Sequence, residues 1–306
     1  MKNNKGWLIS ILVTFFAWNG PGYAATPEQK TVALVENQAA VLNLAGKQRM
    51  LTQKISNNVL HISNELQLLE QDVVEFDKII NGLLNGDPEL KLVKTENPEI
   101  IKQLNQTSEL WQSFRNNVNA FLAGDHSPER VEEIAQQNIP VMENMNLAVE
   151  MYEKDFLSNL EPGMAKTLNL AGKQRMLSQK MAKEAQLILR GVKTEEHQTH
   201  LREDMSLFER TLKGLLEGDE ELGLPGTEEK SDIYEQLLIV KKIWEEYKPM
   251  LETIIKGDND KQTEEQTRAS IRRTNLQLLM TMHKAVNMYE QSVGLHSSSL
   301  RKWWKQ

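Results

Sequence analysis

Leu42-Asn-Leu-Ala-Gly-Lys-Gln-Arg-Met-Leu-Thr-Gln-Lys54 returns further along the chain as Leu168-Asn-Leu-Ala-Gly-Lys-Gln-Arg-Met-Leu-Ser-Gln-Lys180, with only Thr52 and Ser178 differing. Packing alone rarely demands such identity, because a helix core accepts many apolar side chains of similar volume. The chain is therefore a tandem duplication, and this segment carries something specific. Other landmarks recur in the same order. Phe76 with Gly82-Leu83-Leu84-Asn85-Gly86-Asp87 answers to Phe208 with Gly214-Leu215-Leu216-Glu217-Gly218-Asp219. Trp111 and Phe114 answer to Trp244 and Tyr247, and Met151-Tyr152-Glu153 to Met288-Tyr289-Glu290.

Leu, Met, Glu, Gln and Lys dominate, and no stretch alternates with β-branched enrichment, so the fold class is all-α. Helices are predicted near 28–62, 64–85, 97–123 and 128–157, and again near 164–190, 195–217, 228–256 and 260–293. The breaks have local causes, among them Gly86-Asp87-Pro88, Asn97-Pro98, Pro162-Gly163 and Leu224-Pro225-Gly226. Ser127-Pro128 places a cap before proline at the first helical position. Four helices joined by short loops return the chain to the end where it began. The expectation is two tandem up-down-up-down four-helix bundles, 25–159 and 160–295, related by a pseudo-twofold axis like a homodimer made covalent. A signal segment, 1–24, precedes them and a basic aromatic tail, 296–306, follows.

At 100° per residue, Val41, Leu44, Leu51, Ile55, Val59 and Ile62 form one face of the first helix, which belongs to the bundle core. A second face carries Leu42, Ala45, Gly46, Arg49, Gln53, Ser56 and Leu60, while Lys47 and Lys54 point elsewhere and are expected in solvent. Leu168, Ala171, Gly172, Arg175, Gln179 and Ala182 repeat the arrangement. A mid-helix glycine costs about 1 kcal/mol against alanine, and small residues let another helix come close. Equivalent faces packed together would bring Arg49 and Arg175 toward each other, a costly burial of like charge unless something compensates. A small anion would do so, and the planar guanidinium fork suits oxyanions and carboxylates. The alternative is that both arginines reach acidic side chains or solvent and the glycines only permit tight packing.

At these residues the chain resembles the PilJ-type sensory domain found at the N-terminus of type IV pilus chemoreceptors. More distantly, it is similar to the P-box of the nitrate and nitrite sensor kinases NarX and NarQ. The resemblance covers both halves and implies a periplasmic four-helix sensory bundle. It places the anion-binding role on Arg49 and Arg175, with Gly46 and Gly172 matching the P-box glycine and Gln53 and Gln179 beside them. The match departs from the nitrate sensors at Lys47-Gln48 and Lys173-Gln174. Such domains normally sit between two membrane helices ahead of signalling modules. This chain therefore leads to the expectation of a periplasmic protein that binds a small anion or polar metabolite, nitrate or nitrite among the candidates. It would report to a membrane-bound receptor, histidine kinase or cyclic-nucleotide enzyme. The rival expectation is an accessory interaction protein of a pilus or envelope complex.

Lys2 and Lys5, the apolar run Trp7 to Trp18 and the small-residue close at Ala24 form a secretory signal, with cleavage expected after Ala24. Beyond it no apolar stretch approaches the ~20 residues of a membrane span. The net charge of -7 argues against nucleic acid. The chain contains no cysteine, which removes disulfides, iron–sulfur ligation and thiol chemistry. No nucleophile–base pair or phosphate-cradling loop appears, so neither catalysis nor a cofactor is expected. His197 and His200, three apart, are compatible with two metal ligands, but the first half lacks such a pair and the stretch reads as a solvated helix; no metal is expected. The methionines, Met142, Met145, Met151, Met280, Met282 and Met288 among them, suit core filling. Trp111 and Trp244 are expected to pack in the two bundles.

Overall fold

The computed structural model describes residues 26–60, 66–257 and 264–303, with 294–303 as backbone alone. The signal segment predicted at 1–24 lies outside the described residues, as do the side chains of the basic tail. Among the described residues eight helices run in order: α1 (Pro27–Leu60), α2 (Leu66–Asn85), α3 (Pro98–Leu122), α4 (Pro128–Phe156), α5 (Met164–Leu189), α6 (Thr194–Glu217), α7 (Asp232–Lys256) and α8 (Glu264–Trp303). The fold is all-α, as expected; among the described residues, extended pairing is confined to the single bridges Asp87–Leu92 and Asp219–Leu224, which close the two Gly-Asp turns.

Local chemistry sets the ends. Thr26 and Gln29 form a reciprocal cap at α1: the Thr26 hydroxyl accepts from the Gln29 N–H and the Gln29 side chain accepts from the Thr26 N–H. Ser127 caps α4 by accepting from the Arg130 N–H, with Pro128 at the first position. The start predicted for α7 at 228 moves to Asp232, because the cap is Ser231, whose hydroxyl accepts from the Tyr234 N–H. The last helix passes its predicted end near 293 and reaches Trp303; there only Gly294 opposes helix formation, at about 1 kcal/mol.

Within the first half α1 packs on α2 and α4, and α3 closes the ring against α2 and α4. In the second half α5 packs on α6 and α8, and α7 closes against the same two. The halves meet along α1 and α5, the most extensive helix contact of the molecule, flanked by α1–α8 and α4–α5 contacts. Arg175 reaches Asn43, and Arg190 reaches the Leu60 carbonyl further on. Contacts therefore advance together along both helices, which run side by side in the same direction.

Each core carries its aromatic landmark. Trp111 stacks on Phe76 with centroids 3.8 Å apart and donates its indole N–H to Asp77 at 2.7 Å. Trp244 packs on Phe208 at 4.6 Å. Met145 and Met282 are buried as expected, whereas Met280 is 64% exposed and fills no core. Lys47 and Lys54 are not free in solvent either: they pair with Glu75 and Asp72 on α2, and Lys180 pairs with Asp204 on α6. The helical wheel placed them off both apolar faces; α2 and α6 supply the missing carboxylates there.

Candidate functional site

α1 and α5 are buried around nearly their whole circumference over the repeated segment, because each serves its own bundle on one side and the other repeat on the opposite side. The contact is closest at the two glycines. A Cβ built on Gly46 would meet Gly172 Cα at 3.8 Å, Arg49 Nη2 at 3.3 Å and Arg175 Nη2 at 3.6 Å. One built on Gly172 would meet the same two guanidinium nitrogens at 3.4 and 3.5 Å. Both arginine tips thus converge over the glycine pair, and both residues are fully buried.

The tips bind across the repeat boundary. Arg49 donates through Nη2 to the Asn169 peptide oxygen at 3.0 Å and through Nη1 to the Asn169 and Asn146 side-chain oxygens at 2.9 and 2.7 Å. Arg175 donates through Nη2 to the Asn43 peptide oxygen at 2.9 Å, and its Nη1 lies 3.2 Å from His283 Nδ1. Because guanidinium only donates, that imidazole presents its lone pair at Nδ1 and carries its proton on Nε2. The asparagines are held in turn by the landmark glutamates: Asn169 donates to Glu153 at 2.5 Å, and Asn43 donates to Glu290 and to Asn287. Each of these bonds again crosses between repeats.

Among the described residues no carboxylate lies within ion-pair distance of either guanidinium. Burial lowers Arg49 to about 10, opposed by the fields of Glu150 and Glu153. Burial, with Arg49 as the next contribution, lowers Arg175 to about 9, while Glu290 and Glu75 act the other way. Both remain cations at neutral pH. Burial and then Arg175 pull His283 down to about 4, so it is neutral there. The Nε of each arginine is buried without a partner, an unmade bond that costs about 1–3 kcal/mol, or more for a charged group.

Gln53 and Gln179 lie a turn further on, and their side chains do not reach the guanidinium tips. Gln53 donates to Asn138 at 2.7 Å and Gln179 to Asn275 at 2.8 Å. Gln48 and Gln174, where the segment departs from the nitrate sensors, donate to the Phe76 and Phe208 carbonyls at 3.0 and 2.9 Å and so tie α1 to α2 and α5 to α6. A groove of about 410 Å³ opens between α4, α5 and α6, lined by Met142, Asn146, Lys173, Met176 and Lys180 among others. Asn146 stands at its wall and accepts from Arg49, which is itself fully buried behind it.

Residues 31–136 and 156–269 match the family described as the N-terminal region of type IV pili methyl-accepting chemotaxis transducers, PilJ. The chain belongs to the PilJ family. Each matched stretch contains the one arginine, the one glycine and both glutamines of its copy of the repeated segment. Protein PilJ of Pseudomonas aeruginosa is 25% identical over 181 residues, which cover 57% of this chain and 26% of that protein. The chain thus matches about a quarter of that relative's length. PilJ is a family of transducer domains and not of enzymes.

Sequence reasoning missed the groups that surround the two arginines here. Asn43 and Asn169 sit inside the repeated segment, six residues before Arg49 and Arg175, and each carries the peptide oxygen that accepts from the arginine of the other helix, a pairing that only the register between α1 and α5 reveals. Asn146 and His283 come from α4 and α8, and nothing local marks them.

Proposed function

We propose that this chain is a periplasmic sensory protein that binds a small anion where its two repeats meet. Arg49 and Arg175 would hold the anion over Gly46 and Gly172. Two repeats, 25–159 and 160–295, would be related by a pseudo-twofold axis after removal of 1–24, and the bound state would be passed to a membrane receptor, kinase or cyclic-nucleotide enzyme. The observation that carries this reading is the convergence of two buried cations over one glycine pair, with no carboxylate against either and with both Nε atoms unpartnered. An oxyanion or carboxylate would neutralise both and accept from the unused donors. Among the described residues no helix is long and apolar enough to cross a membrane.

A second reading rests on the peptide oxygens. Arg49 on Asn169 and Arg175 on Asn43 form a reciprocal clamp, which would hold the repeats together in an interaction protein that takes no solute. A thermal-shift screen against nitrate, nitrite, other oxyanions, carboxylates and amino acids separates the two, with Arg49→Met/Arg175→Met in parallel. Stabilisation of the wild type that the double variant lacks supports anion sensing. No response in the wild type, with a less stable double variant, supports the clamp.

A further inference from the structure

We propose that Glu184, His197 and His200 form a site for a divalent transition-metal cation, zinc being the best fit, in the second repeat only. Glu184 stands near the end of α5 with a side chain only 3% exposed, and its Oε2 lies 2.5 Å from His197 Nδ1 and 3.9 Å from His200 Nδ1. The two histidines are three residues apart in the first turns of α6, so they share the face turned to α5. One donor atom from each of the three residues falls within 4.8 Å of the others. Tetrahedral zinc with bonds of about 2.0–2.1 Å sets its donors roughly 3.3 Å apart; the two measured separations lie on either side of that value, so small side-chain rotations close the set. Two imidazoles and one carboxylate are zinc's ordinary donors, and His200, 40% exposed on its side chain, leaves the fourth position toward water.

The duplication supplies an internal comparison. Where the second repeat has Lys183 and Glu184, the first has Asn57 and Asn58, and where it has His200 the first has Leu68. Asn58 simply donates to Asp72 at 3.2 Å. The bundle therefore does not need a buried carboxylate at this place, yet the second repeat combines one with two imidazoles. The other oxygen of Glu184 is 3.3 Å from Lys183 Nζ, itself nearly fully buried, which fixes the carboxylate with Oε2 toward the histidines. Outer partners of this kind orient metal ligands. Lys183 also reaches Asn138 on α4 at 3.4 Å, so the cluster is connected to the first repeat.

The test is titration of tag-free, chelator-stripped chain with Co²⁺, read by the ligand-field absorption of a tetrahedral site, with Zn²⁺ as competitor. Expected are one equivalent bound, displacement by Zn²⁺, binding at least tenfold weaker in His200→Ala and absent in His197→Ala/His200→Ala. His200→Ala alters a partly exposed side chain, and its circular dichroism and thermal midpoint without metal report whether the fold is kept. Absence of a tetrahedral spectrum in the wild type, or a spectrum unchanged in the double variant, overturns the assignment.

Discussion

Arg49 and Arg175 each donate to a peptide oxygen in the other repeat, Arg49 to Asn169 at 3.0 Å and Arg175 to Asn43 at 2.9 Å. Each helix therefore presents both a buried cation and the acceptor for its counterpart's cation. Removing one arginine unbalances both sides: it leaves an acceptor without its donor and relieves the remaining guanidinium of a like-charged neighbour.

The glycine pair sets the helix spacing. Gly46→Val would push a branched side chain into two guanidinium groups and the Gly172 backbone, and is expected to cost about 2–3 kcal/mol by overpacking. Gly46→Ala gains up to about 1 kcal/mol of helix propensity but must displace Arg49 Nη2, which would lie at 3.3 Å. Its net stability should stay within about 1 kcal/mol of the wild type while its anion response weakens. Urea unfolding checks the first statement and ligand-dependent thermal shift the second; a valine variant as stable as the wild type would contradict the close approach.

The amides beyond the arginines predict an inequality. Asn138 accepts from Gln53 at 2.7 Å and from Lys183 at 3.4 Å, whereas among the described residues Asn275 accepts from Gln179, and it donates to the Ser178 carbonyl at 2.7 Å. Asn138→Ala strands the buried Gln53 amide and leaves Lys183 with Glu184 as its remaining partner, and should cost about 2–3 kcal/mol. Asn275→Ala should cost roughly 1–2 kcal/mol. Equal losses in denaturant midpoint at unchanged m-value would show that Lys183 draws nothing from Asn138.

His283 makes stability depend on pH. Its folded value of about 4 lies below the ordinary 6.5, so the unfolded chain takes up the proton first. The stability that depends on neutral His283 is complete above about 6.5 and is lost as pH falls through about 4. Because the group is partly exposed, the loss should be on the order of 1–2 kcal/mol after screening. Burial raises Asp204 to about 6, and this carboxylate acts in the opposite sense; the informative quantity is the difference from His283→Asn, which installs the residue found at Asn146 in the first repeat. Parallel pH profiles for the two proteins would refute the proposed role of the imidazole.

Two hydroxyl pairs repeat across the halves. Thr95 gives its proton to the Leu83 carbonyl at 2.6 Å and so accepts from Tyr152, while Thr227 bonds the Leu215 carbonyl and Tyr289 in the same way. Tyr152→Phe and Tyr289→Phe should each cost about 1 kcal/mol and add within about 0.5 kcal/mol. Strong non-additivity in a denaturation cycle would mean that the two hydroxyl pairs are energetically coupled across the contact between the halves.

The fold was legible because the duplication made each helix appear twice, so that Phe76, Trp111 and Tyr152 could be matched to Phe208, Trp244 and Tyr289 before any packing was known. The arginine–glycine face was legible for the same reason: Gly46 and Gly172 are unfavourable in a helix unless something comes close. The partners were less so. Asn146, His283 and Glu184 have roles set by the register between helices far apart in sequence, and a helical wheel carries no register. His197 and His200 looked like surface because their partner, Glu184, belongs to a different helix and has no acidic equivalent in the first repeat.

The segment from Leu157 to Gly163, which joins α4 to α5, sets how the proposed shared site would behave on dilution. A pocket built by two separate copies dissolves as protein concentration falls, and its apparent affinity falls with it. Here the second wall is covalently attached, so its local concentration is set by tether length. Solute response should be the same at nanomolar as at micromolar protein, and the two walls are free to diverge, one ending in an amide and the other in an imidazole, without any need for self-recognition.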